Sequence, residues 1–318
     1  MEQSPATFAT TGKAAKRRSP FRISLAKNRD LYLLIFPVVV YFVVFHYIPM
    51  YGVQIAFKDF IVTKGITGSP WVGFAHFERF FNSYYFWRLI KNTLGLGLYE
   101  LLVGFPIPIL LALMLNEVKN KFFKRFVQTV TYAPHFLSTV VLVGMLFIFL
   151  SPRTGLVNRL IELFGGEPIA FMVSPEWFKT LYVFSGVWQQ MGWSSIIYFA
   201  ALSAIDPQLH EAATVDGAGR LRRIWHINLP CIMPTIVILL ILNTGSILSI
   251  GFEKVYLMQN AMNMESSDVI STYVYRSGIL GAQYSFSAAV GLFNSVVNAI
   301  MLVVVNYMAR RVGETSLW

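Results

Sequence analysis

An all-α membrane bundle of six spanning helices is the fold this sequence predicts, and three observations predict it. The chain of 318 residues is 55% hydrophobic and only 13% charged, with a mean hydropathy of +0.56, too apolar for a soluble domain of that size. Six apolar stretches are each long enough to cross a hydrocarbon core, which takes roughly 20 residues of helix. Lys and Arg gather densely in alternate connections, the pattern of a multi-pass protein whose basic loops stay on the cytoplasmic side.

The six stretches run over about 31–51, 93–115, 127–150, 181–202, 232–250 and 286–308. Ahead of the first stand Lys13, Lys16, Arg17, Arg18, Arg22, Lys27 and Arg29; between the second and third, Lys119, Lys121, Lys124 and Arg125. Arg220, Arg222 and Arg223 lie between the fourth and fifth, and Arg310 and Arg311 follow the sixth. Both termini and the 206–230 connection are therefore expected on the cytoplasmic side of the cell membrane. The basic start followed by an apolar run also fits a signal peptide, but it lacks a small-residue cleavage site, and 38–45 gives way to His46-Tyr47-Ile48-Pro49, so an uncleaved first helix is expected. Residues 1–29 read as a basic tail, of which 1–20 is expected to be disordered near anionic lipid, and 30–318 as the transmembrane domain. Neither an internal repeat nor a low-complexity domain is evident.

Several function classes fall away. The +10 net charge would suggest nucleic acid in a soluble protein, but its placement beside spans explains it, and no nucleic-acid partner is expected. Cys231 is the single cysteine, so neither an intramolecular disulfide nor a thiolate metal cluster is possible. His46, His76, His135, His210 and His226 lie in separate connections or helix ends without metal-ligand spacing, so no metal site is expected. Gly165-Gly166 precedes no phosphate-binding helix, and no Gly-x-x-x-x-Gly-Lys-Ser/Thr loop exists, so the chain cannot itself hydrolyse ATP. A set of acid, base and nucleophile is also missing, which leaves transport rather than catalysis.

The polar connection between the fourth and fifth stretches is the most informative segment. Asp206 precedes Pro207, a side-chain acceptor at an N-cap followed by a proline whose missing N–H costs nothing in the first turn. A helix is thus expected from there to Val215, with Glu211 near its positive end. Gly217 permits a left-handed stop, and a second short helix is expected over 218–227 until Pro230 interrupts it. Ala212 and Ala213 keep one face thin enough to enter a cleft, while Arg220, Arg222 and Arg223 offer charge to a protein surface or lipid headgroups. On its own this is either a docking elbow or an ordinary loop with helical turns.

The pattern Glu211-Ala212-Ala213, three residues, Gly217, then Ile227-Asn228-Leu229-Pro230 resembles the Glu-Ala-Ala loop of binding-protein-dependent ABC importer permeases. The resemblance covers most of the chain from about Leu31. Trp71-Val72-Gly73-Phe74 with Phe77, Asn92-Thr93-Leu94, Tyr132-Ala133-Pro134-His135-Phe136 and Gly155-Leu156-Val157-Asn158 look like segments of sugar-importing members. Residues 224–230 and the tail Arg311-Val312-Gly313-Glu314-Thr315-Ser316-Leu317-Trp318 are similar to the polysaccharide and complex-oligosaccharide subgroup, common in Gram-positive bacteria. The resemblance implies a maltose-permease-like bundle with a cytoplasmic coupling helix, and it implies ATPase docking through Glu211, Ala212, Ala213, Asp216, Gly217 and Arg220. Ile224 stands where a phenylalanine is frequent in the wider sugar family, keeping the apolar contact without aromatic stacking. Also implied are a second homologous permease, two ATPase subunits that use ATP and Mg, and a lipid-anchored solute-binding protein outside. This chain itself is expected to bind no cofactor.

Polar groups inside a bilayer need a reason, because an unpaired one costs several kcal/mol on apolar-transfer scales. In the fourth stretch, Trp188, Gln189, Gln190 and Trp193 suit a sugar's C–H faces and hydroxyl rim, and equally suit packing against a partner permease. Asn243-Thr244-Gly245-Ser246, with Ser249 beyond, interrupts the fifth as a translocation break, a hinge, or both. Glu100 is the acid well inside a span, about a quarter to a third of the way from the outer end by the rise of about 1.5 Å per residue. It is expected either to accept sugar hydroxyls or to pair structurally, with Tyr99 pointing elsewhere on the helix. Asn294 and Asn298 read as bonds between helices. The function expected is uptake of an oligosaccharide or polysaccharide fragment. The rivals are a permease for peptides or amino acids, a stand-alone carrier or channel, which would carry more intramembrane charge, and a membrane enzyme.

Overall fold

A computed structural model of the chain describes residues 28–312; the expected lipid-associated tail over 1–20 and the subgroup-like ending beyond Val312 lie outside the described residues. Among those residues the structure is helical, with a single isolated antiparallel bridge, Lys58 to Trp71, in place of any strand. The chain divides into two compact units at Val53 and Gln54. In the first, α1 (Arg29–Phe42) contains Pro37 and widens into a π turn (Val43–Tyr47). Its apolar side chains, among them Leu33, Leu34 and Phe36, are exposed, and a helix apolar all round calls for lipid or other helices as its surroundings.

A 3₁₀ helix (Ile48–Phe57) runs into the second unit, and the loop after it is braced by Lys58, whose ammonium donates to Ile66 O at 2.7 Å and lies 4.8 Å from the Trp71 ring. After the short α2 (Ala75–Phe81), an apolar run is divided into α3 (Phe86–Gly104) and α4 (Pro106–Glu117). The joint falls at Phe105-Pro106 because proline has no N–H for the preceding turn. Asn120 caps α5 (Lys121–Tyr132), its side-chain oxygen accepting from the N–H of Phe122 and Phe123 at 2.9 and 3.1 Å. Pro134 then lies in a 3₁₀ turn, Ala133–Phe136, and Ser138 caps α6 (Thr139–Phe149).

The long α8 (Pro175–Ser203) follows α7 (Leu156–Leu163). Next come α9 (Pro207–Val215), the single turn α10 (Arg220–Arg223), a π turn (Ile224–Asn228) and α11 (Leu229–Gly245). The short helices α12 (Phe252–Met258) and α13 (Ile270–Tyr275), with a single helical turn Met264–Ser267 between them, precede the closing α14 (Tyr284–Val312).

Among the described residues four helical runs are long and apolar enough to span a membrane: Arg29–Phe57, Phe86–Glu117, Arg220–Gly245 and Tyr284–Arg311. A fifth is obtained if α5 and α6 count as one broken span. The stretch expected over 127–150 is thus not one straight helix. Its halves meet at 101°, because Pro134 and the 3₁₀ turn remove the bonds that would carry α5 onward. The stretch expected over 181–202 lies within α8, whose 29 residues are ample to span, but Gln189, Gln190 and several serines lower its apolarity.

Pro230 does not end a helix as expected. The π turn lets Leu229 N–H reach Ile224 O five residues back, so the backbone widens just where the proline would otherwise clash, and the helical run continues from Arg220 to Gly245.

One core lies between α3, α8 and α12, with Leu96, Phe178, Val183, Val255 and Met258 buried in it. Another, with Ala112, Leu113, Tyr198, Leu202 and Ile232, joins α4, α8 and α11 near the 206–230 connection. At the opposite end the carboxylate of Asp268, fully buried, meets Arg88 at 3.1 Å and Arg276 at 2.9 Å. Beside it Asn92 donates to Glu265 O and Asp268 O at 2.7 and 3.1 Å, and the hydroxyl of Thr93 accepts from Ile270 N–H at 3.0 Å. The Asn92-Thr93 pair thus stitches α3 to the 265–270 segment.

Candidate functional site

Two features of the second unit bear on function, an elbow and a cavity, and the same helices carry both. At the elbow, Asp206 accepts from Gln208 N–H at 2.9 Å, the expected cap of α9. The helix closes through bonds from Ala218 N–H to Ala213 O at 2.8 Å and from Gly217 N–H to Thr214 O at 3.1 Å, with Gly217 at φ +74°. That is the Schellman arrangement, which asks for glycine because any Cβ opposes a left-handed φ. Arg223 then reaches back from Nη1 to Thr214 Oγ1 at 2.7 Å, locking α10 against α9. Glu211, Ala212, Asp216, Gly217 and Arg220 are exposed and Ala213 half-buried. Leu209, Val215, Leu221 and Trp225 are exposed apolar groups on the same segment. A shallow cleft between the elbow and the end of α4 is lined by Asn116, Glu117, His210, Glu211, Thr214 and Arg223.

The cavity, about 410 Å³, opens between α3, α4, α8 and the end of α11. Glu100, Gln190, Asn243 and Ser246, four of the residues singled out in the sequence, line it together, drawn from three helices and the turn that ends α11. Tyr182, Ser194, Tyr198 and Ser249 complete its polar wall. Asn243 donates to Leu239 O at 2.7 Å and the Ser246 hydroxyl to Asn243 O at 3.1 Å, so α11 ends by satisfying its own carbonyls and turns its remaining amide capacity toward the cavity. A chamber of this size with hydroxyls, amides and one carboxylate can bind a hydroxyl-rich solute.

The remaining polar and aromatic groups of α8 turn to a different neighbour. Gln189 donates to Leu137 O at 2.8 Å, and the Trp193 ring stacks on His135 with centroids 4.3 Å apart. Both brace the break between α5 and α6 and stand outside the cavity wall. Gln190 links the two regions, since His135 Nδ1–H donates to its Oε1 at 2.8 Å. Trp188 is an exposed side chain of α8, also outside the cavity wall. Asn298 bridges helices, its Oδ1 accepting from Leu248 N–H at 3.1 Å and its amide donating to Ser249 Oγ at 2.9 Å. The α5–α8 contact is close enough that a Cβ on Gly192 would come within 2.1 Å of Thr131 O.

One residue of this region carried no sequence signal. Lys254, on α12 in the connection between α11 and α14, is buried and donates from Nζ to Tyr182 O at 2.8 Å while lying 4.6 Å from the Tyr182 ring. Burial pushes its ammonium down to about 8, with the Glu100 carboxylate opposing that shift. Its partners are 72 residues away in sequence, beyond any local pattern.

Comparison with known proteins fixes the family. Residues 104–314, which contain the elbow and most of the cavity wall, match the family described as binding-protein-dependent transport system inner membrane component. The chain belongs to that family. The permease is 48% identical to the polygalacturonan/rhamnogalacturonan transport system permease protein YteP of Bacillus subtilis strain 168, over 99% of this chain and 98% of that protein. It is 46% identical to protein LplB of the same organism, over 93% of each chain. Among solved structures, it superposes with TM-score 0.85 and 44% identity on a chain of a bacterial ABC transporter involved in import of the acidic polysaccharide alginate, covering 92% of this chain and 98% of that one. A second alginate transporter structure, in complex with alginate pentasaccharide-bound periplasmic protein, gives TM-score 0.86 at 44% identity, covering 93% and 99%. The all-helical architecture is that of an ABC importer permease, and the permease is a transport subunit rather than an enzyme.

Proposed function

We propose that the permease forms one half of the path by which an ABC importer takes up an oligosaccharide, and that its elbow converts the movement of a partner ATPase into opening and closing of the cavity. The observation that carries this reading is connectivity. The elbow is the direct continuation of α8 at one side and of α11 at the other, and both helices line the cavity. Displacing α9 and α10 as a unit therefore displaces two cavity walls, a rigid-body switch of access. The cleft between Glu211 and Glu117 at the end of α4 brings a third lining helix into the same lever.

On this reading Glu211, Ala212, Ala213, Asp216, Gly217 and Arg220 meet the ATPase, with Val215, Leu221 and Trp225 as the apolar part of the contact. Glu100, Gln190, Asn243 and Ser246 meet the sugar, while Gln189 and Trp193 position the α5–α6 break behind them. The assembly pairs this chain with a second permease, two ATPase subunits that use ATP and Mg, and a lipid-anchored binding protein on the outer face. Six crossings, with both ends of the chain and the elbow on the cytoplasmic side, fit the placement of Lys and Arg. The sugar names attached to the relatives and the polar wall of the cavity both support an oligosaccharide cargo.

Co-expression tests the reading. The permease should purify with a second permease and an ATPase, and the reconstituted complex should take up oligosaccharide only with ATP and binding protein present. Transport by the purified chain alone in liposomes, without ATP, would reject it.

A further inference from the structure

Lys254 poses a problem of charge. Only 9% of it is exposed, and a buried ammonium loses several kcal/mol of hydration unless a counter-charge or a full set of hydrogen bonds replaces it. Among the described residues it takes part in no ion pair. The Tyr182 carbonyl occupies one of its three N–H donors and the Tyr182 ring offers a weakly attractive face. Glu100 acts on it through space from the cavity. The position thus holds positive charge with spare donors.

The wall between this ammonium and the cavity is thin at one place. Gly186 lines the cavity, and a Cβ there would lie 3.1 Å from Lys254 Nζ. The absent side chain leaves a window, flanked by Tyr182 and Gly251, which also line the cavity. An anionic oxygen pressed against Gly186 would come within hydrogen-bonding reach of Nζ.

We propose that Lys254, acting through the Gly186 window, is the counter-charge for a carboxylate on the transported sugar, so that the cavity favours uronate-bearing oligosaccharides over neutral ones. This rests on the oligosaccharide reading above and adds the chemical class of the cargo. Glu100 supplies the other half of the recognition. It accepts from sugar hydroxyls and repels a carboxylate presented to its own side, which orients an acidic unit with its charge toward Lys254. No step of the cycle changes covalent bonds.

The test uses the complete reconstituted importer with its binding protein. It compares uptake of trigalacturonate with uptake of the same trisaccharide after reduction of its carboxyl groups to alcohols. Because one binding protein delivers both sugars to every variant, its own preference cancels when acidic-to-neutral uptake ratios are compared. Lys254→Met should lower that ratio about ten-fold, the effect of losing one charge-assisted hydrogen bond, and Lys254→Arg should restore most of it. Should Lys254→Met fail to assemble, Gly186→Ala closes the window while keeping the charge and should lower the ratio in the same direction. An unchanged ratio in an assembled Lys254→Met complex overturns the proposal. So does parallel loss of both sugars with Glu100→Gln rescuing complex yield, which would make the two residues a structural pair. Uptake of neither sugar by the unaltered complex would instead reject the oligosaccharide reading and the proposal with it.

Discussion

Arg223 and Thr214 are joined across the glycine corner of the elbow by a 2.7 Å hydrogen bond, guanidinium to hydroxyl, which ties α10 to α9. The bond matters because of what it spans. Thr214 belongs to the helix that continues from α8 and Arg223 to the one that leads into α11, and a lever transmits force only if its corner is stiff.

Replacing Gly217 by Val should therefore uncouple the transporter. The φ of +74° costs a non-glycine residue about 1–2 kcal/mol, and more for a β-branched one, and the corner would relax away from its Schellman geometry. Substrate-stimulated ATP hydrolysis and uptake should both fall severely while the complex still purifies, because open space surrounds the position. Wild-type uptake by an intact Gly217→Val complex would contradict the lever.

Removing the carboxylate at 268 should act on stability rather than coupling. Asp268→Ala leaves Arg88 and Arg276 without their shared buried partner, and breaking a buried ion pair by deleting one member costs roughly 3–5 kcal/mol. The arginine side chains are about one-third exposed, so water recovers part of this and the lower end of the range is expected. Thermal unfolding in detergent should show a clear drop in midpoint, and an unchanged midpoint would mean the network carries no weight.

Within α8, neighbouring glutamines should separate. Gln190→Leu removes an amide from the cavity wall and should lower uptake at near-normal complex yield, since its bond to His135 is exposed. Gln189→Leu orphans the Leu137 carbonyl and should lower the unfolding midpoint by the equivalent of about 1–3 kcal/mol, with uptake falling only as far as the complex is lost. Equal loss of uptake per folded complex in both variants would remove the distinction.

Lys254 gives the stability an unusual pH dependence. Its ordinary value near 10.5 is pushed down to about 8 in the folded protein, so between these values the unfolded chain holds the extra proton. Stability must then rise with pH across that window, because folding no longer has to bury a charge. The Glu100 carboxylate opposes the shift through space, and the Tyr182 ring packs against the ammonium. Thermal midpoints of the native complex minus those of Lys254→Met should climb from pH 8 toward 10.5 and stay level below 8. A flat difference would show that the lysine is not desolvated.

Local chemistry explains which parts of this architecture the sequence discloses. Asp206, Pro207 and Gly217 announce the elbow because capping and left-handed turns are decided within four residues. The apolar runs announce most spans for the same reason. The 101° bend was hidden: Pro134 signals a break, but the turn that follows it is held by Gln189 and Trp193, more than fifty residues later, and α6 packs on residues of the first core. Pro230 misled in the opposite sense, because a π turn absorbs a proline that local rules read as a stop. In the cavity, Glu100, Gln190, Asn243 and Ser246 stand out as polar groups in apolar runs. Lys254 does not, since a lysine in a connection is unremarkable until Tyr182 and Gly186 are seen beside it.

The approach of Gly192 to Thr131 sets a limit on how this protein can vary. With 2.1 Å between a hypothetical Cβ and a backbone oxygen, no side-chain rearrangement can make room, so even alanine would force the two main chains apart. Moving α5 away from α8 would drag residues 133–137 with it, and with them the histidine that fixes the orientation of Gln190. In a saturation library selected for growth on the imported sugar, position 192 should return glycine alone. Tolerance at that helix crossing is thus a genetic ruler for the shape of the cavity, readable by counting surviving codons.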